Sequence, residues 1–509
     1  MSGLSLISLF LLAFLPFLKF LRFHEYPLAS PEIIFWLGLL LLMASFFSFF
    51  KNRFLYAAAV SFFLFILLTG GPQTIPPIGL FVRGGIALGV LFLLGVMGEK
   101  APRIVFLFAL GMGVSDLALN LFSPKQEISR EALQAGVKGK EHLLYLILDE
   151  QIGIDGFPDL PGMPEFRKKL IDFYTGNGFL LFPKAYSNYF YTGNSISNTL
   201  NGTFESVDGA YVTDNEPKLV KNRLFDDFRS QGYRINAYSF GHVDFCAFPV
   251  SKCYVYAKNS PTSLVGEDYS VADRMRMTAM LYLATNSVFK EIRKRVPDGG
   301  FFISRAGPLK TVPKLFAEVE RDILKAEEKT LFFVHVMMPH HPYMYDSACR
   351  PKPVSDWLIR IENYHAATPK NSPEGYKKRY QAYAEQDECL HRMLGNLFDR
   401  LKKEGLYDGM NIVVHGDHGS RITLNYDAYA DFADSIGKVD MIASHSTLLA
   451  LKFPGDQEGR IDPRQGSLTS ILNALLYEKK PFEGEKEHFV LLKQKKGKKE
   501  LIRRPMPLF

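Results

Sequence analysis

Five apolar stretches open the chain, at about 4–22, 33–50, 54–70, 81–98 and 104–122. Each is near the roughly 18–20 residues that a helix needs to cross a bilayer core. Breakers separate them: Pro27 and Pro31, Lys51-Asn52-Arg53, Gly70-Gly71-Pro72 with Pro76-Pro77, and Glu99 through Arg103. The pattern predicts an anchor of five membrane helices over 1–122, followed by a polar juxtamembrane linker at 123–141. Beyond it the pattern changes. His142 to Leu148 holds a continuous apolar run, and Leu331 to Met338 and Met410 to His415 are similar, largely apolar stretches, the mark of parallel strands buried on both faces. Helical periodicity fills 271–297, 311–328 and 374–404. Strands alternating with helices predict an α/β domain over 142–509, with a mostly parallel central sheet flanked by helices.

Charge follows the same division. Only seven basic and four acidic residues fall before Ser123, against 60 and 53 in the whole chain. This excludes a simple soluble enzyme, a disordered chain and a purely membranous transporter. A net charge of +7 over 509 residues gives no case for nucleic-acid binding, and nothing in it sets an oligomeric state. Lys51 and Arg53 lie in the second loop, Lys100 and Arg103 in the fourth, while the loop from Gly70 to Leu80 has no basic residue. The excess of basic residues on cytoplasmic loops puts the N-terminus inside and everything after the fifth helix outside. Lys19 and Arg22 dissent, and snorkelling from the helix end accommodates them. The first stretch has no small-residue cleavage site and reads as an anchor, not a removed signal. All four cysteines lie beyond the anchor. Either they pair, Cys246 with Cys253 and Cys349 with Cys389, as in an oxidising compartment, or they are four buried thiols.

The apolar runs end in groups that can do chemistry. The first ends in Asp149-Glu150, the second in Pro339-His340-His341-Pro342-Tyr343, the third in Gly416-Asp417-His418-Gly419. Active sites of parallel sheets collect at such strand ends, and carboxylates with imidazoles suit a divalent metal. Between the first two lies a hydroxyl-rich segment from Asn188 to Gly202. There Thr192 or Ser195 either caps a helix or, beside a metal, acts as a nucleophile near a helix N-terminus that favours anions. His335 and His415 sit within strand patterns and read as satisfied core histidines. Asp387 reads as a structural residue on a long helix, and Arg421 as a phosphate contact or a surface cation. The basic run from Lys493 to Arg504 reads as a solvated tail, or alternatively as a contact for anionic lipid head groups.

The ordered set of Asp-Glu, hydroxyl loop, His-x-Pro-Tyr and Gly-Asp-His-Gly resembles the sulfatase-like branch of the alkaline phosphatase superfamily. With its apolar N-terminal region the chain is similar to the membrane phosphoethanolamine transferases and lipoteichoic acid synthases of that branch. The resemblance implies Thr192, ten residues before Gly202, as nucleophile, and Glu150, Asp149, Thr192, Asp417 and His418 as ligands of Zn²⁺ or Mn²⁺. It implies His340 as the histidine acting on the substrate phosphate, with His341, Ser195, His445 and Arg421 as further substrate contacts. It also implies a bacterial inner-membrane protein with its catalytic domain in the periplasm or outside. That enzyme would pass a phospholipid head group, such as phosphoethanolamine, to an envelope sugar or lipid through phospho-Thr192. The absence of Cys at 192 excludes formylglycine chemistry. A phosphoester or sulfoester hydrolase, and an inactive assembly scaffold, are the other readings.

Overall fold

Parallel pairing in register brings three strand ends to one edge. In the computed structural model, strand Leu143–Leu148 lies between Thr330–Val336 and Asn411–Gly416. Leu148 is opposite Val336 on one side and Gly416 on the other. The residues after each strand therefore emerge together, as the largely apolar runs anticipate. The structure describes residues 3–23, 29–49, 53–69, ten positions within 85–97, and 100–122. It continues over 141–204, 211–213, 217–219, 221–240, 243, 245–255, 270–285, 311–362, 371–424, 436–493 and 501–509.

The chain divides into two units, Met1–Glu127 with Asn259–Gly307, and Ile128–Lys258 with Pro308–Phe509. The second holds an eight-stranded sheet. Its order runs Arg460–Ile461, Leu180–Leu181, Leu449–Lys452, Asn411–Gly416, Leu143–Leu148, Thr330–Val336, Arg234–Ser239 and Lys252–Val255. All pairings are parallel except the two made by Leu449–Lys452. The two strands at the heart of the sheet, Leu143–Leu148 and Thr330–Val336, are buried along their whole length. The helical pattern at 374–404 forms a helix at Pro373–Lys403, where the Ser372 side chain accepts from Gly375 N–H. That cap satisfies one of the four free N–H groups of the first turn. Its buried face carries Tyr380, Tyr383, Gln386, Asp387, Leu390, Leu394, Leu397 and Leu401, a three-to-four-residue spacing.

Two expectations change. The basic C-terminal run is not a free tail among the described residues: Phe489–Lys493 and Leu501–Pro505 form an antiparallel hairpin. Val490, Leu492 and Met506 are buried against Tyr186 and Phe190. The helix read at 271–297 as part of the α/β domain is described at Val271–Thr285, and groups with the N-terminal unit. There Tyr282 packs edge-on against Phe17 and Phe20.

In the N-terminal segment of that first unit the described helices are Gly3–Phe23, Pro31–Phe49, Arg53–Thr69 and Ala101–Phe122. Leu4–Leu21 and Pro31–Phe49 are the two among the described residues that are long and apolar enough to cross a membrane, and the helices Leu55–Ile66 and Ala101–Gly111 are shorter apolar ones. Of the expected fourth span at 81–98 only scattered positions are described, and the linker at 123–140 lies outside the described residues.

Both expected disulfides form, Cys246–Cys253 and Cys349–Cys389. The second links the segment after Tyr345 to the long helix, 40 residues apart in sequence. Loop closure of that length corresponds to about 4 kcal/mol. Replacing Cys349 and Cys389 together with Ser is expected to lower unfolding stability by that order, read as a shift of the denaturant midpoint. An unchanged midpoint would remove this crosslink from the stabilising interactions.

Candidate active site

Asp149 and Glu150 follow the central strand directly, in a turn where Glu150 takes left-handed backbone and its side chain leaves in a different direction from that of Asp149. The structure accordingly splits the ligand set expected from sequence into two groups. Asp149, Asp417 and His418 form one, Glu150, His340 and His341 the other, with ligand atoms inside each group within 4.8 Å of one another.

The first group sets two buried carboxyls beside a neutral imidazole. Asp417 Oδ1 accepts from the N–H groups of Glu150 and His418, both at 2.9 Å. Asp417 Oδ2 and Asp149 Oδ1 have no hydrogen-bond partner and are buried. Burial, and then the neighbouring carboxylate of Glu150, push the Asp149 carboxyl well above its ordinary value. Burial and Asp149 raise Asp417 as well. His418 Nδ1 donates to Gly419 O at 2.8 Å, so Nε2 carries the lone pair. Burial lowers its pKa to about 4, which keeps the ring neutral. His418 Nε2 faces Asp417 Oδ2 at 3.2 Å and Thr192 Oγ1 at 3.3 Å. Two orphaned carboxylate oxygens, a neutral imidazole nitrogen and a hydroxyl fit a Zn²⁺ or Mn²⁺ ion.

The second group gathers positive charge around one carboxylate. Arg421 makes a direct ion pair with Glu150. Arg360 Nη1 and His340 Nε2 lie 3.8 and 3.7 Å from Glu150 Oε1, and His341 Nδ1 lies 3.4 Å from Oε2. Burial opposes ionisation of Glu150, but His340 and Arg421 outweigh it and hold the carboxyl well below its ordinary value. Glu150 and Arg421 both adopt left-handed backbone, at φ 62° and 57°, a conformation that costs about 1–2 kcal/mol for residues with a Cβ.

Thr192 is the first residue of helix Thr192–Asn201, whose N-cap is Tyr191 and which has no side-chain cap. The capping alternative for Thr192 is thereby excluded. Ser195 instead braces the site: its Oγ donates to the Asp417 carbonyl at 2.5 Å and pairs with Ser187 Oγ. His445 Nδ1 donates to Ser187 O, leaving a buried Nε2 with no hydrogen bond. Gly416 and Gly419 are required by close approach. A Cβ there would stand 2.4 Å from Gln151 O and 2.1 Å from Ala443 O respectively.

His415 is the satisfied core histidine expected, bonded to Gly416 O and Tyr145 OH. His335 is not. Neither ring nitrogen has a hydrogen bond, and Nε2 stands 3.4 Å from Asp149 Oδ2. Its register opposite Ile147 puts it on the same sheet face as Asp149. Three residues escaped sequence reasoning. Arg360 joins the Glu150 group. Gln386 holds the His340 segment, donating to the carbonyls of Pro339 and His340 while accepting from Met344 N–H. Tyr383 OH donates to Glu150 O and accepts from Ile152 N–H. Asp387 has the structural role expected, receiving Gln151 Nε2 at 2.8 Å.

The sulfatase family pattern matches residues 149–448. No curated protein matches the chain. Similar solved structures include the phosphonate monoester hydrolase of Agrobacterium radiobacter, 13% identical over 69% of this chain and 80% of that one, with a TM-score of 0.42. The C-terminal periplasmic domain of EcEptC from Escherichia coli, in complex with Zn, is 13% identical over 72% and 93%, TM-score 0.42. The phosphonate monoester hydrolase SpPMH from Silicibacter pomeroyi is 16% identical over 69% and 79%, TM-score 0.41. At that level of superposition the likenesses carry no functional weight.

Protons compete with a cation for Asp149 and Asp417, whose carboxyls are raised above the ordinary 3.8. Metal affinity should therefore be fullest at higher pH and fall with acidification, beginning above the range of a free aspartate. A chelator-competition titration with Zn²⁺ between about pH 7.5 and pH 5 reads this directly. A flat affinity across that window would contradict the raised carboxyls.

Proposed function

Because the chain belongs to the sulfatase family, we propose that it is a metal-dependent phosphotransferase. In this reading it moves a phospholipid head group, such as phosphoethanolamine, onto an envelope sugar or lipid. The observation that carries it is the Thr192 hydroxyl, freed from capping and set 3.3 Å from His418 Nε2. Asp149, Asp417 and His418 would hold the metal beside Thr192, with Glu150 adjoining it from the second group. A bound Zn²⁺ or Mn²⁺ would supply Lewis-acid activation of the hydroxyl and of the phosphoryl group.

The chain's own groups do the rest. Thr192 Oγ1 forms a bond to phosphorus as the lipid alcohol leaves, and an acceptor hydroxyl then displaces Thr192. Its position at the start of a helix adds backbone N–H groups and the positive dipole end to an anion held there. His340, His341, Arg360 and Arg421 offset charge on the phosphoryl oxygens, and His445 Nε2 remains available to a substrate hydroxyl. The apolar helices hold the enzyme to a membrane, in the reading a five-helix anchor of a bacterial inner membrane with the catalytic unit outside. Two disulfides agree with an oxidising compartment.

Thr192→Ala is expected to lose at least about a thousandfold in turnover, together with any covalent head-group adduct on the protein, read by intact-protein mass spectrometry. Turnover at the wild-type level would overturn the mechanism. Head-group release without a labelled acceptor product would reassign the enzyme as a hydrolase.

A further inference from the structure

A second concentration of unsatisfied polar atoms lies in the N-terminal unit, where helix Pro31–Phe49 begins. Glu32 is 1% exposed, yet neither carboxylate oxygen has a hydrogen-bond partner. Its ion-pair partner Arg274 stands 3.5 Å away, longer than the roughly 2.7–2.9 Å of a charge-assisted hydrogen bond. Arg274 Nε is also buried without a partner. Trp36, one helical turn after Glu32 and so on the same face, leaves its buried Nε1 unsatisfied, and Ser30 Oγ does the same. Arg274 lies on helix Val271–Thr285, which Tyr282 fixes against Phe17 and Phe20. Native proteins pair nearly all such groups with protein, water or ligand.

The chemistry of the missing partner follows from the atoms. Two carboxylate oxygens call for N–H or O–H donors, while Arg274 Nε and Trp36 Nε1 call for acceptors. The Glu32–Arg274 pair carries no net charge, so a ligand with balanced charge suits it. The corner sits at the end of a helix long and apolar enough to cross a membrane, the level at which tryptophan and lipid head groups meet. We infer that Glu32, Arg274 and Trp36 bind the head group of a phospholipid bearing a primary ammonium. The ammonium donates to Glu32, and the phosphate accepts from Arg274 and Trp36. A choline head group has no N–H to offer, and a phosphoglycerol head group has no cation for Glu32. The inference rests on the transferase reading only where the same lipid class is also the donor, since the binding itself stands without catalysis.

The test is native mass spectrometry of the full chain in nanodiscs of equal phosphatidylethanolamine, phosphatidylcholine and phosphatidylglycerol. Wild-type protein should retain phosphatidylethanolamine over both others by about tenfold, the worth of one charge-assisted hydrogen bond. Glu32→Gln should abolish that preference. Trp36→Phe, which keeps the ring and removes the donor, should reduce it and provides the decisive variant if Glu32→Gln does not fold. Equal retention of the three lipids by wild type, or an undiminished preference in Trp36→Phe, overturns the inference. Thr192→Ala should keep the preference while losing transfer. Transfer surviving in Thr192→Ala defeats the catalytic reading alone, and lost lipid selectivity in wild type defeats this site alone.

Discussion

Asp149 and Asp417 are held side by side at the edge of a fully buried sheet, and the rest of the catalytic unit's site answers to that unbalanced charge. Two carboxylates within 4.8 Å repel by about 3–4 kcal/mol at an effective protein dielectric. The protein relieves only part of this. Asp417 Oδ1 receives two backbone N–H groups, while Asp417 Oδ2 and Asp149 Oδ1 receive none. His335 beside Asp149 is held neutral by its burial, with a pKa lowered to about 4, so it adds no full counter-charge. What is left is a demand for a cation that the described residues on that side do not supply, next to the threonine hydroxyl.

Holding such an arrangement needs a rigid frame, and the packing supplies it from three directions. The long helix Pro373–Lys403 clamps the His340 segment through Gln386, the Glu150 turn through Tyr383 and Gln151 through Asp387. The C-terminal hairpin holds the segment before Thr192, with Leu491 N–H donating to Asn188 O and Asn188 Nδ2 donating to Phe489 O. Backbone from the segment at 443–446 comes against Gly419 so closely that no side chain fits. Each contact crosses between elements distant in sequence, so the site's precision is a property of the packed unit, not of its motifs.

That explains what could be read from the residues. The central strands were legible because strands buried on both faces are mostly apolar, and their ends were legible because chemistry follows closely in Asp149, His340 and Asp417. The division of labour between Asp149 and Glu150 was not, since it depends on the left-handed turn at Glu150. Arg360 and Gln386 carry no local pattern: one lies in an irregular segment and the other looks like any helical glutamine. His335 reads as core from its apolar neighbours, and only the register opposite Ile147 places it against Asp149. The helix Val271–Thr285 has the periodicity of any α/β crossover, so its place with the N-terminal unit emerges only from packing.

The two groups of the site then make sense as complementary halves. One is a carboxylate-rich cluster with the donor set of a metal site. The other is a carboxylate surrounded by two guanidinium groups and two imidazoles, a net cationic wall. Tyr191 and Thr192 join them: the Tyr191 ring lies 6.0 Å from the Arg421 guanidinium, and the Thr192 hydroxyl faces His418. A phosphodiester anion at this junction would place its charge toward Arg421 and His340 while its phosphorus faces the hydroxyl. In the proposed transfer, charge developing on the phosphoryl oxygens during attack would be met by groups already fixed in place, and fixed groups stabilise a transition state without reorganising. Glu150 has a definite part in this. By pairing with Arg421 and adjoining His340 and His341, it holds several cationic groups together that would otherwise repel one another, and the left-handed backbone at both Glu150 and Arg421 is the conformational cost of bringing that pair into contact.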